Sequence, residues 1–238
     1  MSVQWEAAWQ AVIHHPLFGV AITLAAFQLS YAAYEKTRWV FLQPVLVSML
    51  MVVGVLLACG LGYEDYRLSA QMLTVMLGPA TVALAVPLYL NLRRIRELFG
   101  PIMITLLVGG ITATALGMAL AWVFGADRMV LMTLAPKSVT SPIAMLVAEQ
   151  IGGVVALAAV FVMITGILGA IFGPELLRRF GVQHPAARGM ALGLTAHAVG
   201  TAQALQESEE CGAFAALAMS LMGVLTAVLL PLAVSLSL

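Results

Sequence analysis

Eight apolar stretches run almost end to end along the chain, at residues 17–34, 39–61, 68–91, 101–124, 129–150, 151–173, 186–206 and 212–234. A helix needs roughly 20 mainly apolar residues to cross a hydrocarbon core. With 62% hydrophobic and 9% charged residues, against about 25% charged in soluble domains, the chain has no way to hide these stretches in a soluble fold. The period-two alternation of a membrane β-barrel is absent. The expected fold is therefore an all-α polytopic membrane protein with about seven transmembrane helices plus a re-entrant or broken helical segment. Inverted repeats are a possibility, although the similarity between the halves is weak. Residues 1–16 read as an interfacial segment, with Trp5, Trp9 and Ile13 at helical spacing, or else as a disordered tail. Residues 17–238 read as a single membrane domain. The first residues lack the basic region and apolar core of a cleaved signal peptide.

Charge sets the expected topology. Lys+Arg and Asp+Glu both total 11, so no excess points to nucleic acid or to an acidic partner. Basic residues concentrate on the cytoplasmic side of membrane proteins. If all eight stretches cross, Lys36, Arg38, Arg93, Arg94 and Arg96 fall opposite Arg67, Arg128, Arg178, Arg179 and Arg188, and the bias vanishes. If 129–150 instead enters and leaves by one face, the three basic clusters share a side. That reading puts the N-terminus outside, the C-terminus in the cytoplasm and the acidic loop Glu207, Glu209, Glu210 outside.

Three stretches carry polar residues at a depth where each is costly. "LAPKSVTSPIAMLVAEQ", Leu134 to Gln150, has two short apolar arms joined by "PKSVTS". Ser141 as N-cap and Pro142 as first helical residue would start the second arm at membrane depth. A helix N-terminus suits anions, and Lys137, Ser138 and Thr140 would add a charge and two hydroxyls. "MLTVMLGPATVALAVPLYLN" sets Gly78 and Pro79 in mid-stretch with Thr81 beside them, a second candidate half-helix start. "AARGMALGLTAHAVGTAQALQE" combines a small-residue face at Gly189 and Gly193 with His197, Gly200, Thr201 and Gln203. An ionisable residue in the membrane is a functional candidate. Each has a plainer reading: Lys137 snorkels to a headgroup, Thr81 and Thr140 bond back to a helix carbonyl, and His197 is a satisfied interhelical hydrogen-bonder. Gly169 and Gly173 read as a GxxxG-like contact. Cys59 and Cys211 read as small hydrophobes, and no zinc or phosphate-loop motif is present. No enzymatic activity, cofactor or metal is expected.

Together, "LGPATVALAVPLY", "PKSVTSPIAM" and "HAVGTA" resemble the LrgB/CidB membrane protein family, from about Pro44 to Pro231. The motifs fall on Leu77 to Pro87, Pro136 to Ala144 and His197 to Ala202. The third departs from the family's Ser-His-Gly-Ile-Gly-Thr-Ala, because Ala196 and Ala198 replace the serine and the first glycine. The resemblance implies a bacterial cytoplasmic (inner) membrane, multi-pass protein. Members are named for holin-like or antiholin-like control of murein hydrolase export, while plastid relatives move glycolate and glycerate and bacterial relatives are linked to pyruvate. Small monocarboxylates, lactate-type acids included, are thus implied as cargo, and a small LrgA/CidA-like membrane subunit as partner.

Two functions follow as expectations. The first is a secondary transporter of small monocarboxylates: the anion is held at broken-helix ends by Lys137, Ser138, Thr140, Ser141, Gly78, Thr81, His197, Gly200 and Thr201. A proton or sodium ion would be coupled, and a homo-oligomer would sit in the lipid bilayer. The alternative is a holin/antiholin-like regulator of murein hydrolase export and autolysis, acting as an oligomeric membrane assembly.

Overall fold

The computed structural model describes residues 9–37, 39 and 42–236, with Leu77 and Thr81 described by backbone alone. Trp5 and Arg38 lie outside the described residues. The described chain is helical throughout, with no strand, and divides into two compact units, residues 1–83 and 84–238. Four helical stretches among the described residues are long and apolar enough to cross a membrane: Gln71–Leu90, Phe99–Val123, Val155–Arg179 and Glu209–Leu236. A fifth is Pro44–Cys59 with Tyr63–Ser69, if that pair, bent by 115°, is one broken span. The all-α polytopic expectation holds.

In the first unit, α1 is Phe18–Thr37, α2 Pro44–Cys59, α3 Tyr63–Ser69 and α4 Gln71–Ala83. Gln43 caps α2 by accepting from the Leu46 N–H (2.8 Å), Pro44 opens it, and Gly60 closes it with φ 66°. α1 lies against the α3–α4 joint: a Cβ on Gly19 would come within 2.5 Å of Ser69 Oγ, and Thr23 Oγ1 is 2.9 Å from the Tyr66 hydroxyl. The half-helix start expected at Gly78 and Pro79 is not there. α4 runs through Pro79, and the interruption comes at Leu84, just before α5 (Ala85–Leu90). Membrane helices tolerate proline because the freed carbonyl finds local partners.

In the second unit α5 leads to α6 (Leu92–Glu97), then α7 (Phe99–Val123, with a π-turn at Thr105–Gly109), α8 (Arg128–Leu134), α9 (Ser141–Gln150), α10 (Val155–Arg179), α11 (Pro185–Glu207) and α12 (Glu209–Leu236). α8 and α9 are the two arms expected around "PKSVTS". They form a hairpin, and the link from α9 to α10 folds back onto α8: Val154 N–H donates to Thr133 Oγ1 (2.8 Å), and a Cβ on Gly153 would lie 2.9 Å from Thr133 Cα.

α11 corrects the crossing expected over 186–206. His197 has φ 42° and ψ −128°, far from helical values, and the chain turns back there. Before the break, Gly189 and Gly193 face Cys211 and Ala215 in parallel order; after it, Thr201 meets Met219 and Leu205 meets Gly212 in antiparallel order. Arg188 and Glu207, at the two ends, are bonded to each other at 2.7 and 2.9 Å. A straight helix would hold them about 28 Å apart. α11 is thus a second hairpin, with two legs of 12 and 10 residues about His197.

Because α10 lies between them, the hairpins are based at its opposite ends. Each follows a 25-residue helix, α7 or α10. Each of those helices ends in a Phe-Gly pair with glycine at positive φ (Gly125 85°, Gly181 71°) and the same two closing bonds. Gly125 and Ala126 donate to the Trp122 and Ala121 carbonyls, and Gly181 and Val182 to those of Arg178 and Leu177. The second unit therefore contains a helix-plus-hairpin element twice, in inverted orientation.

Ion pairs revise the sidedness as well. Arg94 pairs with Glu210 (2.9 Å) and sits 3.2 Å from the His184 ring, while Arg188 holds Glu207. The acidic loop therefore lies on the side of Arg94 and Arg188, not across the membrane from them. Arg93, Arg94, Arg96, Arg178, Arg179 and Arg188 mark this face, against Arg128 on the other. The positive-inside rule predicts that this face is the cytoplasmic one. The far end of α12 then points outward, opposite to the sequence expectation.

Candidate functional site

The site is built from the two hairpin tips. In hairpin one, Thr140 is the N-cap of α9 (ψ 148°) and Ser141 its first residue, one position earlier than expected, with Pro142 following in the first turn. The reason is local: the residue before a proline avoids a helical conformation only weakly at a helix start, where no N–H bond is lost. The Thr140 side chain does not cap the helix. Ser138 is buried (4% exposed), and no group among the described residues bonds the hydroxyls of Ser138, Thr140 or Ser141.

Lys137 does not snorkel. Its Nζ turns into the protein and donates to the Ala113 carbonyl of α7 (2.9 Å), and a Cβ on Gly117 would lie 2.8 Å from Lys137 Cε and Nζ. An ammonium has three donors, and this bond uses one.

In hairpin two, the break puts His197 (3% exposed) against α10, where its Nε2–H donates to the Val162 carbonyl at 2.9 Å. Gly166 makes room: a Cβ there would lie 2.6 Å from the ring Cε1. Gly169 admits Ala196 and Gly173 admits Leu192, so the GxxxG-like pair is the seat of this hairpin. Gly200 lies so close to the first leg that a Cβ would meet the Leu192 carbonyl at 2.3 Å, and Thr201 Oγ1 bonds the His197 carbonyl (2.8 Å). Gln203, buried on the returning leg, finds no bond partner among the described residues.

The tips reach a common depth. Ala113, which holds Lys137, is ten residues or about 15 Å from the outer end of α7; Val162, which holds His197, is 17 residues or about 26 Å from the cytoplasmic end of α10. Those two distances together match the roughly 37 Å length of a 25-residue helix within one turn. Val139 of the first tip and Leu194, one turn before His197, share one buried core with Leu106 and Val162.

Of the sequence candidates, Lys137, Ser138, Thr140 and Ser141 gather on one tip, and His197, Gly200 and Thr201 on the other. Gly78 belongs to the first unit, and the Thr81 side chain lies outside the described residues. Sequence reasoning missed Ala113, Gly117, Val162 and Gly166. The signal that finds them is the internal repeat, since Gly110 and Gly117 recur as Gly166 and Gly173, 56 residues on. Among the described residues no three His, Cys, Asp or Glu side chains group as a metal site requires.

A polytopic helical membrane protein with two opposed broken-helix hairpins is the class that these features define. A model of the LrgB-like family matches residues 23–236, and the chain belongs to that family. It is similar to the uncharacterized protein YxaC of Bacillus subtilis, 36% identical over 215 residues (90% of this chain, 94% of that one). The holin-like protein CidB of Staphylococcus epidermidis is 32% identical over 212 residues (89% and 93%). The antiholin-like protein LrgB of Bacillus mycoides is 30% identical over 218 residues (91% and 95%). No solved structure matches.

Proposed function

We propose that the chain is a secondary carrier for a small monocarboxylate in the bacterial inner membrane, binding the anion between the hairpin tips. One observation carries this: two hairpins based on opposite faces bring Lys137 and His197, with unbonded hydroxyls, to one depth beside a buried apolar core. Inverted elements that meet at mid-membrane on discontinuous helices are the usual site-building device of secondary transporters. The anion would sit at the α9 N-terminus, where the helix dipole favours negative charge. Lys137 supplies its free donors, and Ser138, Thr140 and Ser141 their hydroxyls. Binding and release suffice, and no bond-breaking step is assigned.

The second reading rests on names. Relatives with about a third of their residues in common are called holin-like CidB and antiholin-like LrgB. Those names favour an oligomeric regulator of murein hydrolase release more directly than they favour a carrier. A small LrgA/CidA-like subunit fits either reading.

Uptake into proteoliposomes separates the two. Saturable flux of pyruvate, glycolate or lactate supports the carrier; unsaturable leakage of unrelated solutes supports the holin-like assembly. In a binding assay, Lys137→Ala should weaken a carboxylate by about 10- to 150-fold, the equivalent of losing a charged hydrogen bond. Lys137→Arg should recover only part of the loss, because the planar guanidinium differs from a compact ammonium in reach and geometry, and the ammonium sits tight against Gly117. Unchanged affinity in a folded Lys137→Ala protein removes this residue from the site.

A further inference from the structure

We propose that His197 is the proton-coupling site of the carrier, taking up a proton at Nδ1 as the carboxylate loads beside Lys137; this rests on the carrier reading above. Three features of geometry lead there. The Nε2–H···O=C bond to Val162 fixes the neutral tautomer and leaves the lone pair on Nδ1. No group among the described residues bonds Nδ1, although the residue is 3% exposed. The ring also sits where the backbone least favours it. At φ 42° a glycine would carry no steric cost, yet an imidazole is held there and Gly166 is left bare to admit it. Backbone strain retained around one polar side chain is the kind of outlier that accompanies a functional group.

The surroundings decide what the ring can exchange with. The α10 segment from Val162 to Gly166, the residues flanking the ring from Ala196 to Thr201, and Met219 of α12 carry no Asp, Glu, Lys, Arg or second His. Lys137, which the helix lengths place at a similar depth on the opposing tip, is held on α7 by the Ala113 carbonyl and is the other cation of this apolar interior. Two cations sharing an apolar interior disfavour each other, and a carboxylate between them offsets that repulsion. Proton and anion therefore load together. The step is balanced: neutral imidazole plus a proton gives imidazolium, Nε2–H keeps its bond to Val162, and the Nδ1 proton leaves when the anion leaves. No covalent bond to carbon is made or broken.

The test uses the full chain in proteoliposomes enclosing a pH-sensitive dye, with pyruvate, glycolate and lactate as probes. In the wild type, an inward proton gradient should drive accumulation with internal acidification, and a sodium gradient should not. His197→Gln keeps an amide that can donate to Val162 but has nothing to titrate. It should lose gradient-driven accumulation and internal acidification, and whatever counterflow exchange of the probe it keeps should no longer depend on pH. Accumulation driven by sodium in the wild type, or proton-driven accumulation persisting in His197→Gln, overturns the proposal. If the variant fails to fold, the wild-type comparison of proton and sodium gradients decides alone. Absence of any saturable flux in the wild type would remove the carrier reading itself and this inference with it, whereas saturable flux without proton movement removes only the inference.

Discussion

The hairpin of α11 can be tested through a side-chain pair that a straight helix forbids. Arg188 and Glu207 are joined at 2.7 and 2.9 Å, with side chains 17% and 22% exposed. Breaking a fully buried pair costs about 3–5 kcal/mol, because a charge is left without its partner, while an exposed pair contributes about 0–1 kcal/mol. A pair this sheltered but still reached by water belongs between, at about 2–4 kcal/mol for Arg188→Ala. For a chain of this size each kcal/mol moves the melting point by about 2–4 °C, so the expected fall is roughly 4 to 16 °C. Arg188→Ala and Glu207→Ala should be non-additive, with a coupling of about 1–3 kcal/mol. The exchange of charges, Arg188→Glu with Glu207→Arg, should restore most of the loss; it forfeits the additional bond from Arg188 to the Val182 carbonyl. Thermal unfolding of the four proteins in one detergent gives the cycle. Simple additivity, or no recovery on exchange, would mean that the residues do not meet and that α11 is not folded back at His197.

Two further outcomes follow from the same packing. Gly193→Ala places a Cβ 2.1 Å from the Ala215 carbonyl oxygen, backbone that no rotamer change can move, and should cost about 1–3 kcal/mol; Gly100→Ala meets nothing within 4 Å and should be neutral or slightly stabilising, and equal melting points would refute the close contact. A topology reporter at Glu209 should read the same side as reporters at Arg94 and Arg178, and the opposite reading is incompatible with the Arg94–Glu210 pair.

What the sequence made legible was the class of segment, and what it hid was direction. The polar run "PKSVTS" announced a break because proline and three hydroxyls are unsuited to a spanning helix, and α8 and α9 end and begin on either side of it. Around His197 the residues are helix-compatible: Ala196, Ala198 and Val199 would continue α11 without penalty, so nothing local signals a reversal. The turn is set by tertiary contacts, with Gly166 and Gly169 opening a seat on α10 and Arg188 closing on Glu207. Sidedness failed for the same reason. Counting 186–206 as a crossing moved Glu207 to the far side of the membrane, and only the fold shows the pair. Conversely, Pro79 looked like a break and is not, since α4 accommodates it. The close packing at Gly189 and Gly193 was legible, because small residues four apart on one helix face need no tertiary knowledge to suggest a neighbour.

The two hairpins, alike in length, are fastened unequally, and this bears on which one moves. Hairpin two has its legs tied by Arg188 and Glu207, its following residue Glu210 tied to Arg94, and its first leg set directly on α12 backbone through Gly189 and Gly193. Moving it breaks ion pairs and contacts between main chains. Hairpin one has no ion pair among the described residues; Thr133 Oγ1, near the end of α8, accepts from Val154 N–H at the start of α10, and Lys137 donates to the Ala113 carbonyl. Local opening selects elements with few such ties, so hairpin one is the expected gate, opening toward the outer face. Single cysteines at Ser138 and Thr140, in a protein with Cys59 and Cys211 replaced by serine, should therefore react with a membrane-impermeant maleimide added outside. A cysteine at Thr201 should stay protected from either side. Adding a monocarboxylate should slow labelling at Ser138 and Thr140 if the proposed anion site lies on this tip. Thr133→Val removes the bond to Val154 and should speed labelling at both positions without exposing Thr201. Faster reaction at Thr201 than at Ser138 would reverse the assignment and make hairpin two the mobile element despite its ion pairs.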